Sequence, residues 1–204
     1  MKENDSPKKP SAKHTFRRNL IEWTVILGVA GLLYVTGYHT EVIGTIQRVL
    51  LATGIHQPHT PLEDASGFPR ASYQLRMTSI EGEHLSLADL KGKTLFLNFW
   101  ATWCPPCIAE MPNIQGLYNE LNERDDIEFL MISLDEDPEK ARDFIQRKGF
   151  SFPVYFPLNG LPAIYNKAIV PRTFVISPEG DIVIEHEGMA KYNTNSFKDF
   201  LLSL

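Results

Sequence analysis

Apolar residues crowd into one long stretch near the amino terminus and return in a regular rhythm from Tyr73 onward. The stretch from Leu20 to Ile43 holds Trp23-Thr-Val-Ile-Leu-Gly-Val-Ala-Gly-Leu-Leu-Tyr-Val-Thr-Gly-Tyr38 at its heart. As a helix rising ~1.5 Å per residue, that heart spans ~24 Å, a little short of a ~30 Å hydrocarbon core. The flanks close the gap, with Glu22 near one interface and His39 and Glu41 near the other. Trp23, Tyr34 and Tyr38 suit interfacial positions. One transmembrane helix over residues 20–43 is therefore expected. Residues 40–54 place apolar side chains at 42, 43, 46, 49 and 50, the spacing of a short amphipathic segment on a membrane surface. A continuation of the anchor helix fits that spacing equally well. Pro58, Pro61, Gly67 and Pro69 then stand among polar residues, so that residues 44–70 read as amphipathic segment and linker.

Residues 71–204 carry the pattern of a packed α/β domain. Tyr73–Ile80 and His84–Leu87, joined by Glu81-Gly82-Glu83, predict a hairpin. The run Thr-Leu-Phe-Leu-Asn-Phe-Trp-Ala within Lys93–Ala101 predicts a buried central strand. A helix to about Arg124 follows, with Ile108, Met111, Ile114, Leu117, Tyr118 and Leu121 at helical spacing. Ile127–Leu134 is a second central strand. Asp137-Pro138 opens a helix that Gly149 ends. Phe152–Phe156 is a short strand, Thr173–Ser177 and Asp181–Glu187 form a second hairpin, and a last helix covers about Thr194 to Leu202. The predicted order is ββ-βα-βα-β-ββ-α.

Charge adds an orientation. Residues 1–18 carry Lys2, Lys8, Lys9, Lys13, Arg17 and Arg18 against Glu3 and Asp5, while the remainder holds 14 basic and 23 acidic residues. Basic residues before an apolar stretch keep that end in the cytoplasm, so residues 1–19 read as a cytoplasmic tail. The domain is then expected outside a bacterial inner membrane, in the periplasm or beyond. No small-x-small site ends the apolar run, which argues for an uncleaved signal-anchor. The acidic domain offers no basic face for nucleic acid.

The chain has two cysteines, Cys104 and Cys107, separated by Pro105 and Pro106. A domain of this size buries enough core to fold without cross-links, and a loop this short hardly restricts the unfolded chain. The pair therefore points to chemistry. It sits where a strand gives way to a helix, and the unpaired N–H groups there favour a thiolate at Cys104. Cys104 is the expected nucleophile and Cys107 the resolving thiol. A structural zinc site would need a second pair, and covalent haem attachment would need a histidine where Ile108 stands. No metal and no separate cofactor is expected, the Cys104–Cys107 disulfide being the redox group.

Phe99-Trp-Ala-Thr-Trp-Cys-Pro-Pro-Cys-Ile-Ala-Glu-Met-Pro112, followed by Val170-Pro-Arg-Thr-Phe-Val-Ile176, resembles the TlpA/ResA-like branch of the thioredoxin superfamily over residues 70–204. The resemblance implies a thioredoxin-like fold with an N-terminal hairpin and a helix–strand insertion between Pro138 and Phe156. It implies that Pro171 is a cis-proline lying against the two sulfurs, with the backbone of Val170 pairing with bound substrate. It makes Glu110 a buried acid on the Cys107 face of the helix, able to carry a proton to or from the resolving thiol. A solvated glutamate on the outer helix face is the competing reading, and sequence leaves the two open. Pro112 matches a helix-kinking proline. Trp103 is expected to shape the partner groove together with Pro105 and Pro106, and Trp100 to flank the site or lie in the core.

The function so implied is a membrane-anchored thiol–disulfide oxidoreductase that takes electrons from a membrane thiol donor. Its substrates would be disulfides of exported proteins, with apocytochrome c in cytochrome c maturation as the leading client. With no histidine between the cysteines, reduction is favoured over strong oxidation. The competing readings are a dithiol oxidant and a thioredoxin-fold copper chaperone, the latter lacking the usual three-residue spacing and a partner histidine. A peroxidase would need an upstream proline and an arginine that are missing.

Overall fold

The structure is a computed structural model that describes residues 12–36, 69–166 and 169–204, with the side chains of the first helix described from Glu22 on. The chain divides into two units, residues 1–39 and 40–204. The first contains α1 (Ala12–Thr36). Among the described residues no helix is long and apolar enough to cross a membrane. α1 begins in the basic tail, with Lys13, Arg17 and Arg18 in its first turns, and residues 20–36 of the expected anchor lie on it. Along this length Trp23, Ile26, Leu27, Val29, Leu32 and Val35 are exposed. Residues 37–43 of the expected anchor, the expected amphipathic segment and residues 55–68 of the linker lie outside the described residues.

The second unit is built on a seven-stranded mixed sheet, β1 (Arg76–Ser79), β2 (His84–Ser86), β3 (Thr94–Trp100), β4 (Ile127–Ser133), β5 (Val154–Pro157), β6 (Arg172–Ile176) and β7 (Ile182–Glu187), in the order β2-β1-β5-β4-β3-β6-β7. Its helices are α2 (Pro105–Leu121), α3 (Pro138–Lys148) and α4 (Asn195–Ser203). The predicted order holds throughout. Both hairpins are antiparallel, β3 pairs in parallel with β4, and β5 joins β4 to β1. A turn of 3-10 helix at Leu87–Leu90, closed by Ser86 and Asp89 in a capping box, is an addition to the predicted elements.

β3 is buried at all seven positions, as a strand covered on both faces must be. Alternation divides its side chains between two cores. Phe96 and Trp100 pack with the apolar faces of α2, α3 and α4, and this cluster also contains both cysteines. Leu95, Leu97 and Phe99 pack on the other side with Leu75, Met77, Leu87 and Tyr165. All three helices thus lie on one face of the sheet. The other face is covered by the segment that enters β1 and by the turn around Tyr165.

Local signals explain the boundaries. Asp137 caps α3, its carboxylate accepting the Glu139 N–H, with Pro138 in the first turn. Gly149 ends that helix at φ +69°, a left-handed conformation in which a side chain would be strained. Gly180 turns the second hairpin at φ +91°, with the Tyr73 hydroxyl 3.2 Å from where a Cβ would sit. Backbone pairing with this turn begins at Pro69, whose carbonyl accepts the Ile182 N–H, while Ala71 N–H donates to Gly180.

Candidate active site

The site grows out of the carboxyl end of β3. After Trp100 the chain turns through Ala101, Thr102 and Trp103 and enters α2 with Cys104 as its N-cap. Asp135, just past β4, fixes this turn: it accepts from the Thr102 hydroxyl at 2.6 Å, the Thr102 N–H at 3.0 Å and the Ser133 hydroxyl at 2.9 Å. The loop is thereby tied to the neighbouring parallel strand before the first cysteine is reached.

Cys104 and Cys107 form a disulfide. As N-cap, Cys104 stands half outside the helix, and its sulfur accepts the Cys107 N–H at 3.3 Å. The intervening prolines matter here. Pro105 and Pro106 fill the first helical positions and have no N–H to offer, so two of the donors that usually face an anion at a helix start are missing. The Cys104 sulfur therefore receives one backbone N–H from the first turn, while the next, from Ile108, goes to the Cys104 carbonyl. Cys104 is 3% exposed and Cys107 0%, which places the first nearer the surface as expected. Trp103 beside them is 60% exposed, whereas Trp100 is wholly core. Pro105 and Pro106 are half-buried. Pro112 lies inside α2 on an exposed position.

The Val170–Pro171 bond is cis. Val170 is half-buried and packs against both cores, and the Pro171 carbonyl accepts the Gly188 N–H at 2.9 Å. Arg172 next to it bridges to Glu185 and Glu187 of β7.

Glu110, left open by the sequence, is 0% exposed. It lies on α2 one turn beyond Cys107 and is held at both oxygens: Asn98 Nδ2 donates to Oε1 at 2.8 Å and the Ala190 N–H donates to Oε2 at 3.1 Å. Burial pushes its carboxyl up to about 8, against the opposing pull of these two donors. Near neutral pH this acid keeps its proton where a surface glutamate has lost it. Asn98, Thr173, Ala190 and Tyr192 around it carried no sequence expectation. The one readable signal was Asn98, an amide within the apolar run Leu95–Trp100, since a buried amide must be paired. Among the described residues no group of three His, Cys, Asp or Glu side chains could hold a metal ion.

Residues 69–184 match the AhpC/TSA family. The chain belongs to that family. Relatives of this chain include the thiol-disulfide oxidoreductase ResA of Halalkalibacterium halodurans, 39% identical over 114 residues. That match covers 55% of this chain and 64% of the relative, so the chain spans less than two thirds of the relative's length. ResA of Bacillus subtilis is 29% identical over 168 residues, covering 82% of this chain and 83% of that one. Among solved structures, StoA from Bacillus subtilis superposes with a TM-score of 0.54 at 27% identity, over 64% of this chain and 98% of that one. The mixed sheet, the Cys-Pro-Pro-Cys helix start and the cis-proline thus sit in an AhpC/TSA domain of thioredoxin-like fold.

Proposed function

We propose that this chain is a thiol–disulfide oxidoreductase that reduces disulfides of exported proteins. The observation that carries this reading is the Cys104–Cys107 disulfide at the head of α2, with the more exposed sulfur at the N-cap and a buried acid one turn below. In the reduced protein the Cys104 thiolate attacks a client disulfide, and one client sulfur leaves as thiolate. Glu110 first releases its own proton; as carboxylate it takes that of Cys107, and the Cys107 thiolate attacks the Cys104 sulfur. The Cys104–Cys107 disulfide forms, the client leaves with both sulfurs reduced, and two electrons have passed to it. A membrane thiol donor restores the dithiol. Val170 offers its backbone to the client strand, and exposed Trp103 with half-buried Pro105 and Pro106 and the buried Pro171 forms the rest of the docking edge. The resemblance to the ResA-like branch makes apocytochrome c the leading client.

The direction of electron flow follows from the thiolate's donors. A helix start that supplied every N–H would stabilise the thiolate, hence the reduced form, and make the pair an oxidant. Here Pro105 and Pro106 withhold two donors and no histidine lies between the cysteines. Equilibration with a thiol buffer should give a reduction potential near the roughly −270 mV of thioredoxin. A value near the roughly −120 mV of a strong periplasmic oxidant would reverse the direction and sink the reductase reading.

The place of action is proposed from the amino terminus. Exposed apolar side chains line α1, and Lys13, Arg17 and Arg18 stand at its start. Such a helix is suited to a membrane, with the basic end in the cytoplasm and the catalytic domain outside. The full chain expressed in a bacterium should stay in the membrane pellet through alkaline carbonate washing. Quantitative release into the supernatant would refute the anchor.

A further inference from the structure

The buried acid of the site is one end of a polar chain that the disulfide chemistry alone does not account for. Asn98 projects from β3 into the same core that holds both cysteines, and it is wholly buried. Its Nδ2 group divides its two protons, one to Glu110 Oε1 at 2.8 Å and the other to Thr173 Oγ1 at 2.9 Å. Thr173 lies opposite Asn98 on β6, and its hydroxyl oxygen also accepts from the Tyr192 hydroxyl at 2.7 Å. Burial, with the Glu110 charge beside it, keeps the Tyr192 phenol protonated and therefore a donor. Asn98 Oδ1, by contrast, is buried with no partner.

These contacts fix which way the amide points. Turned by 180°, it would bring Oδ1 against the Glu110 oxygen, where two acceptors repel whenever the carboxyl is ionised. Thr173 holds the observed orientation by accepting the second Nδ2 proton. The groups facing Glu110 are the amide of Asn98 on β3, the Ala190 N–H, and the Tyr192 phenol; Cys107 precedes it by one turn of α2 and Cys104 caps that helix. Its two oxygens accept one hydrogen bond each, from the Asn98 amide and from the Ala190 N–H. One neutral side-chain donor is thus left to stabilise the carboxylate.

We propose that Asn98 is a positioning residue for the thiol chemistry: oriented by Thr173, its Nδ2 group holds the Glu110 carboxyl and sets the pH at which Glu110 exchanges its proton. This rests on the reading of Glu110 as the proton carrier for Cys107. A merely structural Asn98 would stabilise the core without moving that titration.

The test is carbon-13 NMR of the glutamate side-chain carboxyls in the full chain in detergent, with the Glu110 signal assigned by its loss in Glu110→Gln. Asn98→Leu removes the donor at nearly equal volume, and the titration midpoint of Glu110 should rise by about one pH unit or more. Thr173→Val leaves Asn98 in place but frees its amide to turn, so the midpoint should rise here too, by less. It also keeps the question answerable if Asn98→Leu does not fold. Folded variants that titrate with the wild type overturn the proposal. The pH profile of Cys104 alkylation in the reduced protein separates the two layers. A profile that moves with the Glu110 midpoint supports both. A profile that stays put while the midpoint moves leaves Asn98 in control of Glu110 and removes Glu110 from the thiol chemistry.

Discussion

Replacing Cys104 by serine should reduce protein-disulfide exchange to the uncatalysed background, whereas replacing Cys107 should stop the reaction halfway. The reasons differ. Cys104 caps α2, is the less buried of the two cysteines and is the one whose sulfur receives a backbone N–H, which supports its proposed role as the attacking thiolate. Serine there cannot form a mixed disulfide at all. Cys107 is 0% exposed, and in the proposed cycle it acts only after the first sulfur has been captured. In Cys107→Ser the Cys104–client bond forms and no internal thiol resolves it. A one-to-one adduct should therefore appear on a non-reducing gel, and dithiothreitol should dissolve it. Both variants should keep the fold, because a four-residue loop closed by a disulfide contributes little to stability. Sustained turnover by Cys104→Ser would remove the assignment altogether. An adduct formed by Cys104→Ser through Cys107 would instead exchange the roles of the two sulfurs.

The parts of this site that could be read in the sequence are those set by local rules. Cys-Pro-Pro-Cys at the junction of an apolar strand and an amphipathic helix needs no knowledge of distant residues, and the structure places it at the head of α2. The Asp137-Pro138 start and the Gly149 stop of α3 were equally local, and both stand at the expected residues. Strand ends were less well determined, since Tyr73–Arg76 continues the apolar alternation while β1 begins only at Arg76. What could not be read depends on partners far away in the chain. Whether Glu110 faced solvent or core turned on the Ala190 N–H, 80 residues on, and on Asn98 from a neighbouring strand. Helical spacing fixes the face of α2 on which Glu110 lies but not what covers that face. Thr173 and Tyr192 were invisible for the same reason: each is ordinary in its own segment and acquires meaning only through register and packing.

The second large effect belongs to Glu110 and appears as a pH dependence of stability in the oxidised protein, where the cysteines do not titrate. In the unfolded chain its carboxyl titrates near 4.5, and in the folded protein at about 8. Below the lower value both states are neutral and the buried acid exacts no charge cost. Between the two values the folded protein keeps a proton that the unfolded chain has released, so stability falls as pH rises. Above the upper value both states are ionised and the full cost is present. At about 1.4 kcal/mol per pH unit the loss across this window is roughly 5 kcal/mol, as large as the whole stability of many small domains. Glu110→Gln stays neutral throughout and should be nearly flat over the window. Its amide can donate to Asn98 Oδ1, which lacks a partner here, once the Asn98 amide turns. Urea midpoints measured from pH 4 to pH 9 should therefore nearly coincide for the two proteins at the acid end. They should separate progressively through neutrality, with the glutamine variant more stable by several kcal/mol at pH 9. Parallel curves would mean that Glu110 does not carry a buried charge. The same displacement that costs stability brings this carboxyl close to the ~8.5 of a free thiol, which is what the proposed proton exchange with Cys107 requires. An ordinary surface glutamate is too weak a base for that exchange, so the proposed cycle needs the acid in the core and the stability cost comes with it.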